Sequence, residues 1–171
     1  MQVVKRVIMV LVVLWFSLLL FMPKEALYYQ LEQRLATEGI EINEEAIAVG
    51  AFSLTLKGVA IYVKGIEVAT VEQIELFSLL FYSRVTIESL RVDDTLKAMV
   101  PQETYHATAH HSLLLPLEIP LDANGSFGTL TGRVDIAQRK VRIDFPEVKS
   151  LGVLRTQLKQ GEEGLYYETA F

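Results

Sequence analysis

The sequence predicts a mainly β fold behind an N-terminal transmembrane helix and one short further helix, with the strands forming a curved antiparallel sheet or β-groove. Three observations predict it. Residues 7–22 are apolar apart from Ser17. Residues 26–38 carry Leu27, Leu31 and Leu35, a leucine every four positions, which is helical spacing. From Ile40 onward apolar and polar residues alternate, the spacing of a strand with one buried face.

The apolar run comes first. Lys5 and Arg6 precede it and no acid does. Its 16 residues rise about 24 Å as a helix, short of a hydrocarbon layer of about 30 Å. Val3 and Val4 can lengthen the span while Lys5 and Arg6 reach back to the headgroups. The competing reading is a cleaved signal peptide, which needs a shorter apolar stretch and small residues at a cleavage site. Here the run ends Leu-Leu-Leu-Phe-Met before Pro23, with no Ala-x-Ala. A retained anchor over residues 1–22 is therefore expected, with Val7, Leu11, Leu14, Trp15, Leu18 and Phe21 among its residues. Pro23 can end the span, because its ring disfavours continuing the preceding turn. The positive flank predicts a cytoplasmic N-terminus. Residues 23–171 then lie on the far side of the inner membrane, the periplasm of a bacterium with two membranes.

Gly39 is a good stop for the helix at 26–38. This helix is expected to pack on the soluble domain; Tyr28 and Tyr29 fall just past the membrane, where aromatic rings favour the interface, so a helix lying on the membrane or on a partner helix is the alternative. Phe52, Leu54 and Leu56 alternate with Ser53, Thr55 and Lys57, and Val59, Ile61 and Val63 follow with the phase moved by one. Gly58 sits at the shift, where a bulge would return the apolar residues to the same face. Lys64-Gly65 reads as a hairpin turn, and Ile66, Val68, Ile74 and Leu76 as the return strand. Residues 77–82 are too short and too apolar to assign between a buried turn of helix and a strand. Residues 85–92 make a further strand, stopped by Asp93-Asp94.

The second half continues in the same style after a softer break near residues 98–103. Leu113, Leu115, Leu117, Ile119 and Leu121 alternate strictly, with Pro116 and Pro120 opposite, predicting an edge strand or broken pairing. Residues 123–126, Ala-Asn-Gly-Ser, predict a turn. Leu130, Val134 and Ile136 predict one strand, and Val141, Ile143 and Phe145 the next, across a polar turn at 138–140. A weakly helical piece at 148–159, a loop at 161–164 and a closing strand at 165–171 complete the chain.

Composition narrows the function. Residues after the apolar run hold 14 Lys and Arg against 21 Asp and Glu, a net charge of −7. Such a surface repels phosphate, so no nucleic-acid partner is expected, nor a purely electrostatic grip on anionic lipid heads. There are no cysteines, hence no disulfide, thiolate metal site or cysteine nucleophile. No phosphate-binding loop, nucleophile elbow or His-Glu-x-x-His motif is present, so neither a catalytic residue nor a cofactor is expected. His106, His110 and His111 are the weak candidates for a metal, since a spacing of four places two imidazoles on one helix face or one strand face. A polar strand face explains them as well. The pairs Glu44-Glu45 and Asp93-Asp94 read as strand-end and turn residues.

The order of these features resembles a known pattern. The anchor ending Phe21-Met22-Pro23 is followed by the helix Glu25-Ala-Leu-Tyr-Tyr-Gln-Leu-Glu-Gln-Arg-Leu, then Gly39-Ile-Glu-Ile, Leu54-Thr-Leu-Lys-Gly-Val-Ala-Ile-Tyr, Ile66-Glu-Val-Ala and Ile74-Glu-Leu. Over residues 7–92 this resembles the N-terminal module of AsmA-like envelope proteins and, more narrowly, the type II secretion system protein N family. The resemblance implies an inner-membrane protein with a periplasmic curved sheet, of a kind that can shield acyl chains, and it brings no catalytic residues. The chain is shorter than typical members of that secretion family.

An apolar sheet face must be covered by helix, sheet, lipid or a partner. The candidate lining residues are Phe52, Leu54, Leu56, Val59, Ile61, Ile66, Val68, Leu115, Leu117 and Ile119. Two functions fit: a secretion-assembly component contacting secretion-system subunits, or a module that binds or transfers phospholipid.

Overall fold

The computed structural model describes residues 2–21, 23–79, 81–96, 99–149, 151–161 and 164–171, without the side chains of residues 18, 19 and 152–154. Among the described residues two α-helices, α1 (Gln2–Phe21) and α2 (Lys24–Thr37), precede one antiparallel sheet of eleven strands. Its main run is a meander: β3 (Ser53–Val63), β4 (Ile66–Leu79), β5 (Tyr82–Val92), β6 (Glu103–Ser112), β7 (Glu118–Gly125), β8 (Gly128–Asp135) and β9 (Lys140–Val148). Two short strands, β1 (Ile40–Asn43) and β2 (Ala46–Val49), share the outer edge of β3. At the other end β11 (Gly164–Ala170) pairs with β9, and β10 (Lys159–Gly161) pairs with Gly164, Leu165 and Tyr166 of β11.

Directly opposed residues of an antiparallel pair share a face. One row therefore crosses the whole sheet: Val49, Leu54, Leu76, Val85, Ala109, Leu121, Gly132, Ile143 and Tyr167. This is the apolar face. The opposite face carries Glu75, Arg84, His110, Asp122, Arg133, Arg142 and Glu168.

The expected phase change at Gly58 is present, and it belongs to four strands rather than one. Pairing passes from Lys57–Gln73 to Val59–Val71, from Gln73–Glu88 to Val71–Leu90, and from Glu88–His106 to Leu90–Thr104. Gly58, Glu72, Ser89 and Tyr105 thus form one unpaired row across β3–β6. Gly58 at φ +58° and Ser89 at φ +52° adopt left-handed backbone there. Each strand spends one residue at the same level, so Leu54, Leu56, Val59 and Ile61 all stay on the apolar face. The β3–β4 register runs straight through Gly58 because β4 has its own extra residue, and the formal register shift falls later, between Ile61 and Tyr62.

Two cores cover the two flanks of the apolar face. Under α2, Tyr28, Leu54, Leu56, Val59 and Val71 are buried together, Val59 at 1% exposure. Toward β9, Phe127, Phe145 and Leu151 form the second core, with Leu130, Ile143, Leu158 and Leu165 against it.

Several expectations need correction. α2 starts two residues earlier than predicted and ends at Thr37, where Gly39 takes φ +80° and its N–H reaches the Ala36 carbonyl at 3.0 Å. Its packed face centres on Tyr28, which is buried, while Leu27 and Leu31 stay exposed; the aromatic ring offered more surface to the sheet than the leucine stripe did. The helix thus packs on the sheet as expected, through Tyr28 rather than through its leucines. The segment with strictly alternate leucines is not one strand: β6 continues to Ser112, residues 113–117 form a loop, and β7 begins only at Glu118. Pro116 has no N–H to give a ladder, which fits its place in that loop. The turn expected at 123–126 lies later, at Ser126 and Phe127, because Ala123, Asn124 and Gly125 pair with β8. Ile136 lies beyond β8. No break separates the halves: β5 pairs with β6 across the intervening segment, of which residues 97 and 98 are outside the described residues. The piece expected to be helical is a 3-10 turn, Gly152–Gln157. The unassigned stretch divides between β4 and β5, with Leu80 outside the described residues, as are residues 162 and 163 of the expected loop and Met22 at the anchor boundary.

The transmembrane helix is corrected in part. α1 is a helix of 20 residues. Among the described residues, however, no helix is long and apolar enough to cross a membrane. The side chains of Leu18 and Leu19 lie outside the described residues.

Candidate functional site: an apolar cavity between helix and sheet

Between the two flanking cores the apolar face carries Ala107, Ala109, Leu121 and Gly132, all half-buried. On its α2 side lies a cavity of about 320 Å³, bounded by Leu27, Leu31, Phe52, Leu54, Leu76 and Val85. That volume is at the lower end of the range that ligand pockets occupy.

The cavity follows from local sequence. With Tyr28 turned down into the core, Leu27 and Leu31 stand on the flank of α2 and hang over the sheet beside it. Phe52 lies just before β3, and its ring meets that of Phe16 edge-on at 6.0 Å between centroids. One cation stands at the rim, Lys24, whose Nζ donates to the Ala51 carbonyl at 2.7 Å. The Arg84 guanidinium lies 6.0 Å above the Phe77 ring on the other face of the sheet. An apolar slot with positive charge beside it can take an aliphatic chain and hold an anionic head.

A second polar contact of α2, nearer its middle, fixes the helix that forms the roof. Tyr28 Oη donates to Glu44 Oε2 at 2.7 Å. Burial pushes the Tyr28 phenol well above its ordinary value, and the Glu44 carboxylate pushes it in the same direction. The group therefore stays a neutral donor throughout the physiological range.

The expected lining residues separate into groups. Leu54, Leu56, Val59 and Ile61 come together under α2, the first three as buried core. Phe52 and Leu54 border the cavity. Ile119 lies in β7 on the apolar face, paired with Val134. Val68 sits at the register shift of β4, and Ile66 is exposed at the far hairpin. Leu115 and Leu117 are exposed in the loop at 113–117. Sequence reasoning missed Leu27, Leu31, Leu76 and Val85 as lining residues. The leucine spacing on α2 was the available signal, but it was read as the packed face. Of the anchor residues, Val7, Leu11, Leu14, Trp15 and Phe21 are exposed on α1, and the side chain of Leu18 lies outside the described residues.

The histidines do not converge. His106 and His110 share the polar face, His110 stacking near Tyr82 at 5.9 Å. His111 faces the other way, with Nε2 3.1 Å from the Pro116 carbonyl oxygen. Among the described residues no group of three potential metal-binding side chains is gathered. A second cavity, about 410 Å³, follows the unpaired row on the polar face between Glu45, Glu72, Ser89 and Arg91. Its mixed charges point to no single ligand class.

No family model, no curated protein and no solved structure matches the chain.

Proposed function

We propose that the chain is a non-catalytic protein of the bacterial inner membrane, anchored by α1 with residues 23–171 in the periplasm, whose sheet shelters a phospholipid acyl chain. The observation that carries this reading is the cavity under Leu27 and Leu31, apolar inside and flanked by Lys24. It fits the AsmA-like pattern of residues 7–92. Support for the anchor comes from α1 itself, whose side chains from Val3 to Leu14 that bear on the question are apolar and exposed apart from Lys5 and Arg6. Apolar surface on that scale needs a cover, and a bilayer supplies one.

The test is lipid analysis of the full-length protein extracted in mild detergent. Phospholipid should remain bound, and Leu31→Asp should lose it. Leu31 is exposed, so the variant should keep its circular dichroism spectrum. A protein that carries no lipid above the detergent background contradicts the reading.

A second reading is a secretion-assembly component resembling secretion protein N. The observation favouring it is the edge of β11: β10 pairs only with Gly164, Leu165 and Tyr166, and among the described residues no strand covers the same side of Tyr167–Ala170. An open edge of that kind accepts a strand from a partner. A pull-down from the same extract should then recover secretion-system subunits, and a Pro at Thr169 should reduce that recovery.

A further inference from the structure

The strand directions put three features at one end of the sheet. α1 reaches that end, where Phe16 meets Phe52. The β4–β5 turn lies there, with Phe81 at 62% exposure. So does the β6–β7 loop, where Leu113, Leu114, Leu115 and Leu117 are all exposed, Leu114 at 90%. Turn and loop are tied together, since Leu113 N–H donates to the Phe81 carbonyl at 2.9 Å. The opposite end of the same strands is mixed: Lys64-Gly65 joins β3 to β4 between exposed Val63 and Ile66, and Asp93, Asp94 and Thr95 follow β5, so no row of adjacent apolar tips forms there among the described residues.

Four leucines and a phenylalanine on adjacent strand tips are too many to leave in water without a partner. We infer that this row, Phe81 with Leu113, Leu114, Leu115 and Leu117, beds into the outer surface of the same bilayer that holds α1. A lipid surface is the occupant the observations favour, because the row is continuous with the membrane-entering helix through Phe52 and Phe16. Loop tips also suit lipid better than a protein groove: they project singly and present no complementary shape. The row ends near β7. Adjacent strands rotate by roughly 20–25° each, so the tips of β9 and β11 turn away from the plane that β4–β7 share. The consequence is orientation. Helix and tips together make two points of attachment, which would stand the strands upright on the membrane with the cavity mouth close to the lipid. The inference rests on the anchored reading above.

The chain has no cysteine, so Leu114→Cys supplies one thiol for an environment-sensitive fluorophore, and Lys64→Cys, exposed at the opposite end, supplies the control. Each full-length variant is reconstituted into phosphatidylethanolamine–phosphatidylglycerol vesicles, and retention is checked by carbonate washing. At Leu114 the emission should be blue-shifted and quenched by lipids with a spin label high on the acyl chain; at Lys64 it should be neither. Retained protein with water-like emission at Leu114 overturns this inference and leaves the anchor standing. A blue shift that spin-labelled lipid fails to quench means a protein contact and overturns it too. Loss of the protein on carbonate washing overturns the anchor and this inference together.

Discussion

The Tyr28 hydroxyl and the Glu44 carboxylate, 2.7 Å apart, join the middle of α2 to the break between β1 and β2. That break lies opposite Gly58 and Val59, and the N–H of Glu45 next to it donates to the Lys57 carbonyl at 2.9 Å. The tyrosine thus seats the helix at the level where the sheet changes phase. Hydrogen bonds to a charged acceptor contribute about 1.5–3 kcal/mol. Tyr28→Phe, which keeps the ring and loses the bond, should destabilise the domain by about that amount in urea unfolding.

The same pair sets an alkaline limit. The folded state holds the Tyr28 phenol above its ordinary pKa of 10.0, so the neutral form is favoured in the fold. Its contribution is complete below the unfolded value and is lost as pH rises from there through the folded value. Stability should be flat for this group up to about pH 10 and fall above it. In Tyr28→Phe that part of the alkaline decline should be absent, a difference that urea midpoints taken across the range would read.

Gly58 is the position where the unpaired row needs left-handed backbone, at φ +58°, and a Cβ there would also meet the Glu45 carboxylate. Gly58→Ala should cost about 1–2 kcal/mol in unfolding free energy. Gly128, at φ +102°, has the Glu147 carbonyl where a Cβ would go. Because backbone rather than a flexible side chain must yield, Gly128→Ala should cost more than Gly58→Ala. Equal or reversed losses would contradict the argument.

Leu56 is fully packed beneath α2. Leu56→Ala should cost about 2–5 kcal/mol. Leu31→Trp tests the other side of the helix: it should fill the cavity from the solvent side, reduce bound phospholipid and leave the melting temperature close to that of the parent.

Strand existence was legible from the sequence wherever one face of a strand is buried, as in Leu54 and Leu56 or Val141 and Ile143, since alternation records burial directly. It misled at residues 113–121, where Leu113, Leu115 and Leu117 keep the period of two but lie in an exposed loop. Periodicity reports a pattern and not the partner that would pair with it. The phase change at Gly58 was visible because a glycine marks it. The matching extra residues Glu72, Ser89 and Tyr105 were not, since none is a residue type that signals a bulge. The cavity was half legible: Phe52 and Leu54 were singled out, but its roof depends on which side of α2 faces the sheet. Tyr28 decided that through one ring and one hydrogen bond, and neither appears in a hydrophobic period.

The central claim is that the slot beneath α2 holds a lipid chain in the membrane-bound protein. A phospholipid carrying a photoreactive diazirine in its acyl chain, incorporated into vesicles with the full-length protein, tests it most directly when the crosslinked residues are mapped by peptide mass spectrometry. Label on peptides containing Val85 and Leu76, competed away by ordinary phospholipid and lost in Leu31→Trp, is the result expected. Label confined to α1, with Val85 and Leu76 untouched, would contradict it.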